Sequence, residues 1–594
     1  MDSFERFIVE NEGADTVRLV MSRREWPSPG DAGLAGLDAK SLAVNTIEGR
    51  KKLRKKLPEW VACSRLVYPS TLCTEQCSSS DTARYKASIV QRIFNEHGRP
   101  VASTLRQAQS TAGSPTEVTD FGTEEAGSLT EVAGSGTEET GSPTEAAGSG
   151  TEEAGSPTEV TGFGTEEAGS PTEVAGSGTE ETGSAACRDG LRISKLSVAS
   201  TVASTGSATK GTGSATKGTG SATKGTGSAT KGTGSATDCF LVTELAEVTE
   251  PKNGKVADLT GGLGVDSWAF SKVAEEVLYN EMNPELAAAA RHNFQALGAT
   301  NIFIRNCEAT ADSLEEILGD FKPDVIFMDP ARRDSVGKKV FLLEDCSPDV
   351  LKMLPQMFET SRFILLKISP MADITMVVER LDRTYESFLD ENHKGGWNGQ
   401  WVREVHVVAS CGECKELLIL LDREWRNRYS LTCREDGGTL TFTSEEIAGA
   451  KAVYPDSTFA RIIFEPGKSL TKAGVFNAVC ERFGLVKLAR FTHLYTIGEP
   501  LSDSELEQRT APLKDFGKVF YVKEILPLNK ATMKDVGKRY PHSEVSAKNI
   551  PMSSDELRVR LKVRSGDDAH IFGARIETPY NEDNYLIVTE PTGR

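Results

Sequence analysis

The chain of 594 residues has no uninterrupted apolar run of membrane length, and Met1 to Val9 mixes charges without the apolar stretch of a signal peptide. These absences argue against secreted and membrane-spanning classes, so a cytoplasmic protein with no membrane partner is expected. Cysteines number 11, odd in count and scattered, which suits a reducing compartment better than a disulfide scaffold. Cys411-Gly-Glu-Cys414 supplies half a zinc site, but no second pair follows at useful spacing. A hairpin turn at Gly412 is expected there, and no metal. A basic excess is also absent. The net charge is −18, yet 16 acidic residues and no Lys or Arg lie between Ala112 and Ser184. The remaining chain is therefore nearly neutral, and any surface for a nucleic acid must be local.

What is present begins with two repeat blocks. A fourteen-residue unit resembling GTEEAGSPTEVAGS recurs four times from Gly122 to Ser177, and GTGSATK recurs three times from Gly211 to Lys231. Both are poor in large apolar side chains, so burial cannot offset the entropy of ordering, and neither offers the apolar face on which a solenoid stacks. Residues 101–238 read as a disordered insertion. Residues 1–100 before it carry helical patterning, including the basic run from Arg50 to Lys56. That run fits a solvated helix face, an RNA contact or a localisation signal.

After the insertion, Val256–Leu259, Val277–Asn280, Ile302–Ile304, Val325–Met328 and Phe363–Leu366 read as buried parallel strands separated by helical stretches such as Pro284–Leu297. Val405–Ala409 and Leu417–Leu421 read as a closing antiparallel hairpin. This alternation predicts an α/β fold with a Rossmann-type doubly wound sheet over residues 239–428. The remainder reads as mixed α/β.

The first strand runs into Asp258-Leu-Thr-Gly-Gly-Leu-Gly264. Gly261, Gly262 and Gly264 allow a tight turn against a ligand at a helix N-terminus. Glu281 ends the second strand, where an acid accepts hydrogen bonds from ribose hydroxyls. A dinucleotide site requires glycine where this chain has Ser267. The pattern Asp-x-x-x-Gly-x-Gly instead fits S-adenosyl-L-methionine, whose sulfonium and amino group favour nearby carboxylates. Glu308, just past the third strand, is placed for the adenine amine, and Asp329-Pro330 end the fourth strand, where substrate groups are presented.

The runs Thr74–Lys86, ADLTGGLGVDS at Ala257–Ser267, MDPARR at Met328–Arg333 and LLKISP at Leu365–Pro370 resemble a bacterial group of class I S-adenosylmethionine-dependent methyltransferases. Glu465–Gly474, Thr492–Tyr495 and Asn549–Val563 resemble that group's C-terminal ferredoxin-like and THUMP-like parts. The resemblance implies a ferredoxin-like domain over 429–512 and a THUMP-like, RNA-binding domain over 513–594. Residues Lys514 to Arg564 hold 12 Lys and Arg against 6 acids, a local excess suited to phosphate contacts. The glycine loop also resembles that of trimethylguanosine synthases, which end the fourth strand differently.

RNA is thus the expected substrate, and three acceptors are distinguishable. Transfer to a base amine requires hydrogen-bond acceptors after the fourth strand, which Asp329 and Pro330 supply, although Ala331 and Arg332 depart from the usual proline and aromatic. Transfer to a uracil carbon requires a cysteine at the end of the fifth strand, where Lys367-Ile-Ser-Pro370 has none; Cys346 reads as packing within a helix. Transfer to a ribose hydroxyl is suggested by the Lys-Asp-Lys-Glu set of FtsJ-like ribose methyltransferases, matched here by Lys86, Asp329, Lys367 and Glu416. Strand direction selects Glu416 over Glu404, because the last strand is expected to run antiparallel and to start at the cofactor edge.

Overall fold

The computed structural model describes residues 2–23, 25–97, 253–332, 343, 346–386 and 400–591. The expected repeat insertion, residues 239–252 and Arg333 lie outside the described residues.

Six helices open the chain: α1 (Ser3–Glu10), α2 (Thr16–Ser22), α3 (Ala39–Leu53), α4 (Pro58–Ala62), α5 (Thr71–Gln76) and α6 (Ser80–His97). Asp2, Asp15, Asp38 and Ser70 cap four of them through side chains that accept backbone N–H groups. The basic run is engaged internally. Arg50 is buried and donates to the carbonyls of Val61 and Cys63, Lys51 donates to that of Ala14, and Lys56 donates to those of Thr74 and Glu75. Lys52 and Arg54 pair with Glu75 and Glu12. Most of these cations thus tie the helices to one another, while Lys52 and Arg54 keep 43% and 67% of their side chains exposed.

The central sheet begins with β1 (Lys255–Asp258), β2 (Glu276–Asn280), β3 (Ile302–Arg305) and β4 (Val325–Met328). Between them stand α7 (Val265–Phe270), α8 (Pro284–Ala296) and α9 (Leu314–Leu318). A two-residue pair follows, β5 (Ala331–Arg332) with β6 (Cys346–Ser347), then α10 (Val350–Thr360), β7 (Phe363–Ile368) and α11 (Ile374–Glu386). Cys346 therefore lies on a short strand and not in a helix. Next come β8 (Val402–Ser410), β9 (Glu413–Asp422), β10 (Ser430–Glu435) and β11 (Gly438–Thr443).

The sheet order is β11-β10-β8-β9-β7-β4-β1-β2-β3. Strands β3, β2, β1, β4 and β7 are parallel, β9 is antiparallel, and β8 is again parallel to β7. Cys411 (φ 52°) and Gly412 (φ 75°) turn β8 into β9 in the left-handed conformations that a tight hairpin requires. The sheet does not stop near residue 428, since β10 and β11 extend it to Thr443.

One face is covered by the N-terminal helices. Ile89, Val90, Ile93 and Phe94 of α6 share a core with Val256, Val277, Phe327 and Leu420. The opposite face packs α10 and α11 and continues into the C-terminal region. There β12 (Ile462–Pro466), β13 (Val486–Ala489), β14 (Thr492–Thr496), β15 (Gly517–Pro527), β16 (His542–Lys548), β17 (Arg564–Thr578) and β18 (Asn581–Thr589) form one seven-stranded sheet. β15 pairs with both β12 and β18, so the two expected C-terminal domains share a continuous sheet.

Candidate active site

The glycine loop leaves β1 at the carboxyl edge of the sheet and enters α7. Gly261 is fixed by packing: a Cβ there would sit 2.1 Å from the Tyr279 ring. Gly264 has φ 89° and presses on Phe294, 2.5 Å from where a Cβ would stand. Gly262 differs, because its φ of 54° is left-handed while the space beside it is open. The loop is tied down by Gly261 N donating to Asn280 O at 2.7 Å and Tyr279 Oη donating to Gly262 O at 2.6 Å.

Glu281 closes β2 and holds the loop from outside. Its Oε2 accepts from Gly262 N at 2.9 Å, and its Oε1 accepts from Asn283 N at 2.8 Å. Asp258 is buried, accepting from Ser267 Oγ at 2.5 Å and from Thr260 N at 3.1 Å. Burial pushes its carboxyl up to about 7 against the Ser267 hydrogen bond, and the negative charges of Asp266 and Asp329 add to the rise. Glu308 is exposed beyond β3. The Asp329 backbone N–H donates to Thr260 Oγ1 at 2.6 Å, which locks the end of β4 to the glycine loop.

A cavity of about 860 Å³ opens over these strand ends. Gly261, Gly262, Gly264, Glu281, Glu308 and Pro330 line it, as does Cys346. Its acidic and basic lining comprises five carboxyl groups (Asp258, Asp266, Glu281, Glu308 and Asp329) against two lysines, Lys367 and Lys415. That imbalance favours a cationic occupant.

Beneath the cavity the sequence-predicted charges meet in one row. Lys86 of α6 is fully buried and donates to Glu416 Oε1 and Oε2 at 2.9 and 3.1 Å and to Ser78 Oγ at 2.9 Å. It also lies 3.1 Å from Asp266 Oδ1, while Ser78 Oγ donates to Asp266 Oδ2 at 2.8 Å. Glu416 Oε2 is 4.0 Å from Lys367 Nζ, which donates to Asp329. Burial alone would push the Lys367 ammonium down, but the carboxylates of Asp329, Glu416 and Asp266 outweigh it and hold its pKa above the ordinary lysine range. Burial raises Glu416, against the pull of Lys86 and Lys367.

The four residues of the ribose-transfer set are therefore neighbours, though not equally accessible. Asp329 and Lys367 line the cavity, whereas Lys86 and Glu416 lie behind it. Glu404 sits elsewhere, bonded to Arg92 and His406. Asp266 and Ser78 escaped the sequence reading. Asp266 follows Gly264 by two residues and Ser78 precedes α6, and neither position carries a charge-pair signal until α6 is seen to cross the loop.

Residues 463–503 match the family model of a ferredoxin-like domain, and residues 517–591 match a THUMP domain-like model. The crystal structure of a candidate methyltransferase from Porphyromonas gingivalis W83 superposes with a TM-score of 0.58 at 22% identity, covering 100% of this chain and 98% of that one. The chain has the class I methyltransferase fold. Much weaker likenesses include a candidate methyltransferase from Streptococcus mutans in complex with SAH (TM-score 0.20, 12% identity, 29% of this chain and 89% of that one). Another is TrmN from Thermus thermophilus (TM-score 0.21, 17% identity, 28% of this chain and 44% of that one). No curated protein matches the chain. Among the described residues, no group of three or more His, Cys, Asp or Glu is placed to hold a metal, and no helix is long and apolar enough to cross a membrane.

Proposed function

We propose that this protein is an S-adenosyl-L-methionine-dependent methyltransferase that modifies RNA. The observation that carries the reading is the cavity at the strand ends, where a glycine cradle meets five carboxylates and two lysines. The cofactor is a cation with a free amino group, and its residues of contact here would be Asp258, the three glycines, Glu281 and Glu308. When bound, it supplies an electrophilic methyl group. The remaining chemistry falls to Asp329, Pro330 and Lys367 in the cavity wall, with Lys86 and Glu416 behind them.

RNA is supported by the THUMP domain-like match over 517–591 and by the basic excess between Lys514 and Arg564. Between the two acceptor chemistries, the geometry favours a base amine. Asp329 keeps 36% of its side chain exposed, so its carboxylate can accept a hydrogen bond from an exocyclic amine and orient the nitrogen lone pair. Ribose transfer asks Lys367 to take a proton, and the surrounding carboxylates hold that ammonium protonated. A methyl-labelled cofactor incubated with total cellular RNA, followed by nucleoside mass spectrometry, tests the reading. A labelled base nucleoside is expected, a labelled 2′-O-methyl nucleoside would reverse the choice of acceptor, and no label would reject the function.

A further inference from the structure

The row Lys86–Glu416–Lys367–Asp329 alternates in sign, and only its last two members face the cavity. Lys367 has two carboxylates within reach. It donates to Asp329 and stays 4.0 Å from Glu416. On the other side of Glu416, both oxygens accept from Lys86 at 2.9 and 3.1 Å. Lys86 is itself held by Ser78 and faces Asp266, and it is 0% exposed, so it touches no substrate.

We propose that Lys86 is a positioning residue: by occupying Glu416 from behind, it leaves the Lys367 ammonium to Asp329 and so sets which charge pair faces the acceptor. The inference rests on the methyltransferase reading above in taking Asp329 and Lys367 as the groups that meet the substrate. Its electrostatic basis is simple. An unpaired charge as buried as that of Glu416 is strongly destabilising, so the carboxylate draws any cation within reach. Remove Lys86, and Lys367 is the cation left within reach. Lys367 then turns to Glu416, and Asp329 is left alone in the cavity wall. The N-terminal helical region thereby becomes part of the catalytic apparatus, since α6 delivers the charge that fixes this arrangement.

The test uses the full chain with Lys86→Met and with Lys86→Met combined with Glu416→Gln. In the crystal structure of the single variant, Lys367 Nζ should contact Glu416 and leave Asp329; Lys367 still bonded to Asp329 would overturn the proposal. Methyl transfer to total RNA should fall on the order of 100-fold in kcat, with the affinity for S-adenosyl-L-methionine changed far less. The double variant removes both partners of the Lys86–Glu416 pair and leaves Asp266 to the Ser78 hydroxyl, and replacing both partners of a buried pair is commonly tolerated. Its turnover should return to within about tenfold of wild type, a rescue that a merely structural lysine would not show. A double variant that fails to fold, or that is no faster than the single one, would mean Lys86 is needed for itself and would sink the idea. Absence of transfer by the wild-type protein would instead count against the proposed function, and the position of Lys367 in the crystal would still decide the role of Lys86.

Discussion

Ser267 donates a 2.5 Å hydrogen bond to Asp258 across the glycine loop, nine residues away in sequence. At the position where a dinucleotide fingerprint would carry glycine, this chain carries the hydroxyl that eases the ionisation of a buried acid. Burial pushes Asp258 up to about 7, so below that pH the carboxyl holds a proton. A cationic ligand favours the ionised form, and binding therefore releases the proton. Affinity for S-adenosyl-L-methionine should rise by up to about tenfold per pH unit between roughly pH 5 and 7 and level off above. Ser267→Ala should weaken binding at pH 7 on the order of tenfold, with much of the loss recovered at pH 9. Calorimetry across this range checks both, and an equal loss at pH 7 and pH 9 would disconnect Ser267 from the ionisation.

The glycines separate packing from clearance. Gly261→Ala drives a methyl group into the Tyr279 ring and should lower the melting temperature by several degrees, along with cofactor affinity. Gly262→Ala meets open space and bears only the cost of a left-handed backbone, about 1–2 kcal/mol. Thermal melts of the two variants should therefore rank Gly261→Ala as the more damaging, and the reverse order would contradict the packing described.

The pairing of α6 with β8 predicts an acid-labile anchor. Burial works against ionisation of Glu404, but the His406 and Arg92 contacts outweigh it and hold the carboxyl down at about 2. A depressed carboxylate contributes stability that is present above its unfolded value and lost as pH falls towards the folded one. The contribution is about 3 kcal/mol and should disappear between roughly pH 4.5 and pH 2. Glu404→Gln should lower stability at pH 7 by a comparable amount and flatten the acid limb of a stability–pH curve. A variant that melts like wild type at pH 7 would show the anchor to be idle.

Much of this fold was legible in the chain. Apolar runs such as Val325–Met328 are buried on both faces of a parallel sheet, so they lack alternation and stand out as continuous. That Asp258, Glu281 and Asp329 line one cavity was legible because strand ends in such a sheet face one edge. Strands β10 and β11 were not, because Ser430–Glu435 and Gly438–Thr443 are short and rich in Thr, like an exposed hairpin. Cys346 was placed in a helix because its short bridge to Arg332 is set by tertiary contact. Asp266 and Ser78 gained their meaning only when α6 brought Lys86 between them, a contact made across 180 residues of sequence that no local pattern encodes.

Two substitutions separate the acceptor chemistries. If a base amine receives the methyl group, Asp329→Ala should cost about 10³–10⁴-fold in turnover, and Lys367→Met, which leaves Asp329 without its cation as Lys86→Met does, should cost about 100-fold. Ribose transfer reverses that ranking, with cofactor affinity preserved in Lys367→Met. Rates on total RNA for both variants decide the matter, and near-normal turnover in Asp329→Ala would reject both mechanisms.

The central claim is methyl transfer from S-adenosyl-L-methionine to RNA, and it is tested most directly by mass spectrometry of nucleosides. Total RNA from cells lacking the gene would be treated with the wild-type protein and methyl-labelled cofactor, with Asp258→Ala as the control. One labelled nucleoside is expected with the wild-type protein and none with the control. Tight cofactor binding with no label in any RNA nucleoside would contradict it and leave a binding protein that has kept the fold.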